Sequence, residues 1–515
     1  MKLAATYQQP AAAGYRRLGG AWDTPTLDHL LSGPRKATAA AVVDTDRVIS
    51  AAELQSAVAA AAGGLRALGV GRRQVVAWQL PNWWESVVLF HACWRLGAVA
   101  APIHHQLGAA EAGRMLAALE PKVCLSAPGL PLEGLTDAIG VRSGDARFEE
   151  ILAGRAVAAG AGRGADVAVV LFTTGSTGHP KAVLHTHRGL SYKARSMVGA
   201  HGLTSDDAAL MPSPLAHVSG LLNSVLVPAQ AAMPVVLMEK WDAERGVRLA
   251  AEHRVSFMIG PPTTFLGMLG VPGCRDRVTT MRVVSCGAMG VTPEFIDLAR
   301  EGFGAMVKRT YGSTEAPTVT TSSWQDPADK ARDTDGHSVG EAEVKVVAPG
   351  TRRAVAPGSR GEILVRGPEL FVGYGEARQT AEAVRGGWFA TGDLGTLDAG
   401  GWLTIVGRLK DVIIRGGENI ASAEVERALE QHPGIRQAVV VGRPDAYLGE
   451  RVVAFLVGDG TIDVAECARW FAEQGVARFK TPETVVHLTE IPLLGVGKPD
   501  RAALGRRAAG LSGER

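Results

Sequence analysis

Val167-Ala-Val-Val-Leu-Phe172, followed at once by Thr173-Thr174-Gly175-Ser176-Thr177-Gly178-His179-Pro180-Lys181, is the stretch on which the reading of this chain turns. The apolar run has the length and the β-branched content of a buried strand. The loop after it is a succession of hydroxyls and glycines closed by Pro-Lys. Backbone N–H groups and hydroxyls in such a loop can surround phosphate oxygens, and Lys181 adds a positive charge. A polar surface turn would account for three or four such residues, but not for a run of this length. A Walker A loop is excluded, because its GxxxxGK[ST] spacing needs glycine where Pro180 stands. The stretch therefore reads as a triphosphate loop, with kinases and other ATPases still open.

Working outward, short β-branched runs recur between helical patterns at Val75 to Leu80, Val99 to Ile103, Pro234 to Met238, Ser256 to Gly260 and Arg282 to Cys286. That alternation predicts an α/β body of mostly parallel, buried strands. The spacing of Trp84, Val87, Val88, His91 and Trp94 predicts a helix over Trp83 to Leu96 with a core-facing aromatic side. From about Val339 the texture changes to strand and turn, at Glu343 to Val347, Gly361 to Val365 and Trp402 to Val406. The remaining residues predict a small α+β domain, with helices near Ala423 to Gln431 and Val464 to Gln474 and strands at Gln437 to Val441 and Val452 to Val457. The expected fold is a large N-terminal domain of mixed α/β layers with an appended β-rich subdomain, residues 1–409, and a small α+β domain, residues 410–515. A chain of 515 residues has room for roughly three domain equivalents.

Composition excludes several classes. Lys and Arg number 54 against 52 Asp and Glu, so no global field draws the chain to nucleic acid or acidic membranes. The apolar runs Val87 to Ile103 and Leu221 to Met238 are interrupted by polar residues and prolines, which predicts buried core and no integral membrane segment. The five cysteines contain no CxxC pair and fit neither a disulfide framework nor zinc. A reducing cytoplasm is the expected location, as the amino terminus lacks the apolar stretch of a signal peptide. The pairs His104-His105 and His185/His187 have no acidic partners at metal spacing and read as structural or surface groups.

Further motifs carry a resemblance. Tyr311-Gly312-Ser313-Thr314-Glu315, Trp388-Phe-Ala-Thr-Gly-Asp393, Gly407-Arg-Leu-Lys-Asp-Val-Ile-Ile-Arg-Gly-Gly-Glu-Asn-Ile420 and Gly497-Lys498 follow the phosphate loop in the order of the adenylate-forming superfamily. The chain resembles its acyl-CoA synthetases over nearly the whole length, and is most similar to the cyclohexanecarboxylate and medium-chain acyl-CoA ligase branch. The resemblance implies that Tyr311 lies against adenine and that Asp393 and Arg408 hold the ribose hydroxyls. It implies that Glu315 binds Mg²⁺, aided by Thr177, and that His217 borders the acyl-acid site. Gly287 and Ala288 would border adenine and acyl chain. Lys410 would be the hinge, and Lys498 the lysine that serves adenylation.

The implied activity is ATP-dependent acid activation: an acyl-adenylate and pyrophosphate form from a carboxylic acid and ATP, and the acyl group passes to CoA. The implied acid is apolar, whether medium-chain, alicyclic or aromatic. An enzyme loading a separate carrier protein is an alternative acceptor reading, and a non-catalytic AMP or ATP sensor is an alternative of another class. Intact Lys181, Glu315 and Lys498 argue against the sensor. No convincing GxGxxG fingerprint supports a nicotinamide enzyme. Ala182, Ala421-Ser422 and Leu494-Gly-Val-Gly-Lys498 depart from the family's usual forms, and none of these changes removes a charged or phosphate-facing group. The sequence is silent on oligomeric state, so a homodimer stays open.

Overall fold

The structure is a computed structural model, and it describes residues 12–33, 35–45, 47–142, 144–174, 180–287, 291–415, 418–445, 448–458, 462–474, 476–494 and 498–511. The chain divides into two compact units, one of residues 1–344 and 365–389, the other of residues 345–364 and 390–515.

Two sheets organise the first unit. Six strands run in the order Ile139–Gly140, Val123–Ser126, Val75–Gln79, Val99–Ile103, Val167–Thr174 and Pro180–Thr186, parallel except for the last. The other sheet is centred on parallel strands ordered Met306–Tyr311, Val283–Cys286, Phe257–Gly260, Ala209–Met211, Val235–Leu237 and Ala40–Asp44, with short antiparallel strands at both edges. Strands buried on both faces need near-continuous apolar runs, and Val75–Gln79, Val99–Ile103 and Val283–Cys286 are buried throughout. The predicted aromatic helix forms as Trp84–Arg95 and is buried almost all round, its Phe90 and Trp94 being, with Trp78 of the strand Val75–Gln79, among the largest fully buried side chains.

In the second unit, Asp393 to Leu397 of the strand Trp388–Leu397 pair antiparallel with Leu403–Arg408. Further along, Val412–Arg415, Glu418–Ala421, Gln437–Asp445, Gly449–Val457 and Thr484–His487 form a five-stranded sheet. Its strands alternate by face. Ala438, Val440, Val452, Ala454 and Leu456 pack on one side with Val425, Leu429 and Phe471. Val439, Val441, Val453, Phe455 and Val457 pack on the other with Leu504 and Ala508. The two-residue period of a strand thus places helices on both faces. Among the described residues, no helix is long and apolar enough to cross a membrane.

Candidate functional site

The phosphate loop joins two antiparallel strands. Thr173 stands opposite Lys181, and Thr174 opposite Pro180. Gly175, Ser176, Thr177 and Gly178 lie outside the described residues, as does Ala288.

Lys181 has a neighbour that sequence reasoning missed. The segment Val372 to Gly375 runs beside the strand Pro180–Thr186, through Val372 N–H to Leu184 O (2.9 Å), Leu184 N–H to Gly373 O (3.0 Å) and Gly375 N–H to Ala182 O (2.8 Å). This sets the Lys181 ammonium 5.1 Å from the centroid of the Tyr374 ring. The Tyr374 hydroxyl donates to Glu315 Oε1 at 2.7 Å. Burial first, and then the Glu315 charge, hold the phenol well above its ordinary value, so it stays a donor. Gly-Tyr-Gly at 373–375 was the available signal, but only the tertiary fold reveals that it meets Glu315.

The turn bearing Glu315 is tightly made. Tyr311 ends the strand Met306–Tyr311 and is half-buried. A Cβ on Gly312 would come 2.4 Å from Thr318 N, so the turn closes only on glycine. Ser313 Oγ accepts from Ala316 N–H at 3.2 Å. The carbonyl of Thr314 meets Nε2 of buried His185 at 2.7 Å, which makes that histidine a structural tie between this turn and the Lys181 strand. Thr318 has φ of +38°. A β-branched residue there is strained by roughly 1–3 kcal/mol.

Gly287 follows the strand Val283–Cys286, where a Cβ would meet Thr310 Cγ2 at 2.9 Å and Thr310 O at 3.1 Å. Its small size is thus a packing requirement. His217 sits beyond a loop clamped by buried Asn82, which donates to Ser213 O (3.0 Å) and accepts from Leu215 N–H (2.9 Å). The His217 ring packs edge-to-face on His104 at 4.9 Å, and His104 stacks on His105 at 4.9 Å. His104 Nδ1 accepts from Gln106 N–H at 3.0 Å, which leaves Nε2 to carry the proton of the neutral ring. Burial, then the neighbouring His217 and His105, lower its pKa to about 3. His104 follows the carboxyl end of a parallel strand, where sites in such sheets gather. Its spacing in the sequence carried no sign of His217.

In the second unit, Asp393 and Arg408 are directly opposed across the antiparallel ladder, and Arg408 Nε lies 2.9 Å from Asp393 Oδ1. Asp393 is buried while Arg408 is half-exposed, so the guanidinium fixes a carboxylate that can accept from vicinal hydroxyls. Lys410 is exposed on the 3₁₀ turn Leu409–Asp411. Lys498 closes a short hairpin made by Leu494 N–H to Lys498 O (2.7 Å) and a bridge between Leu493 and Pro499. Arg501 secures its base through Val440 O (2.8 Å) and the buried Glu426 (2.7 Å). Lys498 keeps a solvent-exposed surface, yet the protein crowding its flank lowers its pKa, with Arg408 and Lys410 adding to the effect and Asp393 opposing it.

The chain has well-matched relatives over most of its length. Residues 32–375 match the AMP-binding enzyme family, and residues 424–498 its C-terminal domain. The chain is 31% identical to a medium-chain fatty-acid–CoA ligase of Escherichia coli, over 97% of this chain and 93% of that protein. It is 33% identical to an indoleacetate–CoA ligase of Aromatoleum aromaticum, over 88% and 92%. The ATP-bound MatB of Rhodopseudomonas palustris superposes with a TM-score of 0.88 at 26% identity, covering 95% of this chain and 99% of that one. The fold, the order of the motifs and these matches place the chain in the AMP-binding enzyme family, the adenylate-forming acyl-CoA synthetases.

Proposed function

We propose that the protein is an ATP-dependent acid–CoA ligase acting on an apolar carboxylic acid, medium-chain, alicyclic or aromatic, in the cytoplasm. The observation that carries the reading is the cluster of Lys181, Tyr374 and Glu315, which puts a cation for phosphate beside a carboxylate fixed by a hydroxyl. Relatives that act on a medium-chain fatty acid and on indoleacetate support an apolar acid. The five cysteines are all buried and unpaired, which suits a reducing compartment.

In the first half-reaction a carboxylate oxygen attacks the α-phosphorus of ATP, and the bond to the β-phosphate bridging oxygen breaks to release pyrophosphate. Positioning and fixed positive charge do most of the work in such a transfer. Lys181 and the loop hold the departing phosphates, and Tyr311 takes the adenine. The Asp393–Arg408 pair takes the ribose, His217 borders the acid, and Lys498 supplies charge at the reacting phosphate. In the second, the CoA thiol attacks the acyl carbon and AMP leaves. Lys410 is the hinge of a mobile domain, residues 410–515, that withdraws Lys498 between the two steps.

Mg²⁺ fits the donors present. Among the described residues no group of three or more His, Cys, Asp or Glu could hold a metal, while one oriented carboxylate plus substrate phosphates is the usual Mg²⁺ arrangement. Glu315 would hold the ion, which would neutralise charge on the phosphate oxygens.

Acid-dependent exchange of pyrophosphate into ATP across a panel of carboxylic acids, followed by CoA consumption, tests the reading. Exchange with at least one apolar acid and formation of its CoA thioester are expected. No exchange with any acid would favour a nucleotide sensor, and exchange without thioester would favour a carrier-protein acceptor. Tyr374→Phe is expected to raise the Mg²⁺ concentration for half-maximal exchange roughly tenfold, the equivalent of about 1.4 kcal/mol for a hydrogen bond to a charged group. An unchanged Mg²⁺ dependence would remove Tyr374 from the site.

A further inference from the structure

The turn from Tyr311 to Thr318 is held from beneath by a buried charge pair. Lys193 lies on the helix His187–His201, which continues directly from the strand carrying Lys181. Its ammonium donates to Thr318 O at 2.9 Å and lies 3.0 Å from Glu369 Oε1, and both side chains are buried, at 0% and 2% exposure. The Lys193–Glu369 contact is ionic, as among the described residues neither oxygen of Glu369 has an aligned hydrogen-bond donor. Glu369 opens the segment that reaches the same turn twice more, through Phe371 N–H to Glu315 O at 2.9 Å and through Tyr374 to the Glu315 carboxylate.

A buried ion pair is a weak source of stability, because apolar side chains of similar volume commonly do as well. Here its ammonium also accounts for the carbonyl of Thr318, the residue of positive φ that closes the turn. We propose that Lys193, charge-balanced by Glu369, is a positioning residue that fixes the Tyr311–Thr318 turn and thereby aims Glu315. The inference rests on the reading of Glu315 as the group that meets the metal–nucleotide.

Three variants separate positioning from stability, with Mn²⁺ binding in the presence of α,β-methylene-ATP read by electron paramagnetic resonance and Tm read alongside. Lys193→Met leaves a bare buried carboxylate and is expected to lower Tm and weaken Mn²⁺ binding. In the double variant Lys193→Met/Glu369→Leu, Tm is expected to return towards the parent, while Mn²⁺ binding stays 10- to 100-fold weaker, the usual scale for losing a group that orients a ligand. Glu369→Gln keeps the bond to Thr318 O and is expected to lose Tm but retain Mn²⁺ affinity. Parent-like Mn²⁺ affinity in folded Lys193→Met or in the double variant overturns the inference. Equal loss of affinity in Glu369→Gln and Lys193→Met also overturns it, since loss would then follow stability alone. Failure of the parent itself to bind Mn²⁺ with the nucleotide would instead overturn the functional reading.

Discussion

Lys498→Ala is expected to slow acid-dependent pyrophosphate exchange by about 10²- to 10³-fold, the scale of losing one preorganised charge donor. The hairpin that presents Lys498 is pinned through Arg501 to Val440 O and Glu426, so truncation beyond Cβ leaves its supports in place. Tm should therefore move little. Thioester formation from supplied acyl-adenylate should be far less affected, because that step breaks the acyl–phosphate bond after pyrophosphate has gone. Equal losses in both half-reactions would show that Lys498 does not divide its labour in this way. The surroundings of Lys498 add a charge argument. Desolvation first, and then Arg408 and Lys410, push its pKa down while Asp393 holds it up, so Asp393→Asn should lower it further. The adenylation profile of that variant would then lose activity at a lower alkaline pH than the parent.

Much of this organisation was legible in the sequence because it is local. Parallel strands buried on both faces show as continuous β-branched runs, and Val99–Ile103 and the helix at Trp84–Arg95 lie where their patterns put them. Ala40–Asp44 and Val123–Ser126 are inner strands that the sequence pattern did not single out. The motif residues Glu315, Asp393, Arg408 and Lys498 were legible through resemblance, and the structure adds that Asp393 and Arg408 are ladder partners. What remained hidden is contact between distant segments: Tyr374 with Glu315, His104 with His217, Lys193 with Glu369 and Thr318. A tyrosine in a Gly-Tyr-Gly turn or a lysine within a helix has no periodicity that names its partner. Burial of Lys193 is especially contrary to expectation, since lysine in a helix is usually a solvated side chain.

Acidification is expected to unfold the protein well above the range of ordinary carboxylate protonation. Five buried histidines are kept neutral, chiefly by desolvation: His91 and His104 have pKa values lowered from 6.5 to about 3, His185 and His187 to about 4, and His201 lies well below 6.5. The sign follows from proton uptake. Between pH 6.5 and those lowered values the unfolded chain binds protons that the native state refuses, so stability is complete above about pH 6.5 and falls as pH decreases. Each such histidine contributes a slope of roughly 1.4 kcal/mol per pH unit within its window. Five acting together over about two units would rival the whole stability of a typical domain, about 5–15 kcal/mol. Glu426 and Glu430 act with the opposite sign, since burial raises their pKa values and favours the native state as pH falls, but they are two groups against five. Tm measured from pH 7.5 to 4.5 should therefore drop steeply below about pH 6.5, and a flat profile would rule the account out. His91 gives the sharper test, because among the described residues its Nε2 has no hydrogen-bond partner, and its ring packs edge-to-face on Trp94 at 4.9 Å. His91→Phe keeps a ring in that apolar setting and removes the titration. The variant should match or exceed the parent at pH 7.5, and its advantage should widen with acidification by roughly 1.4 kcal/mol per unit.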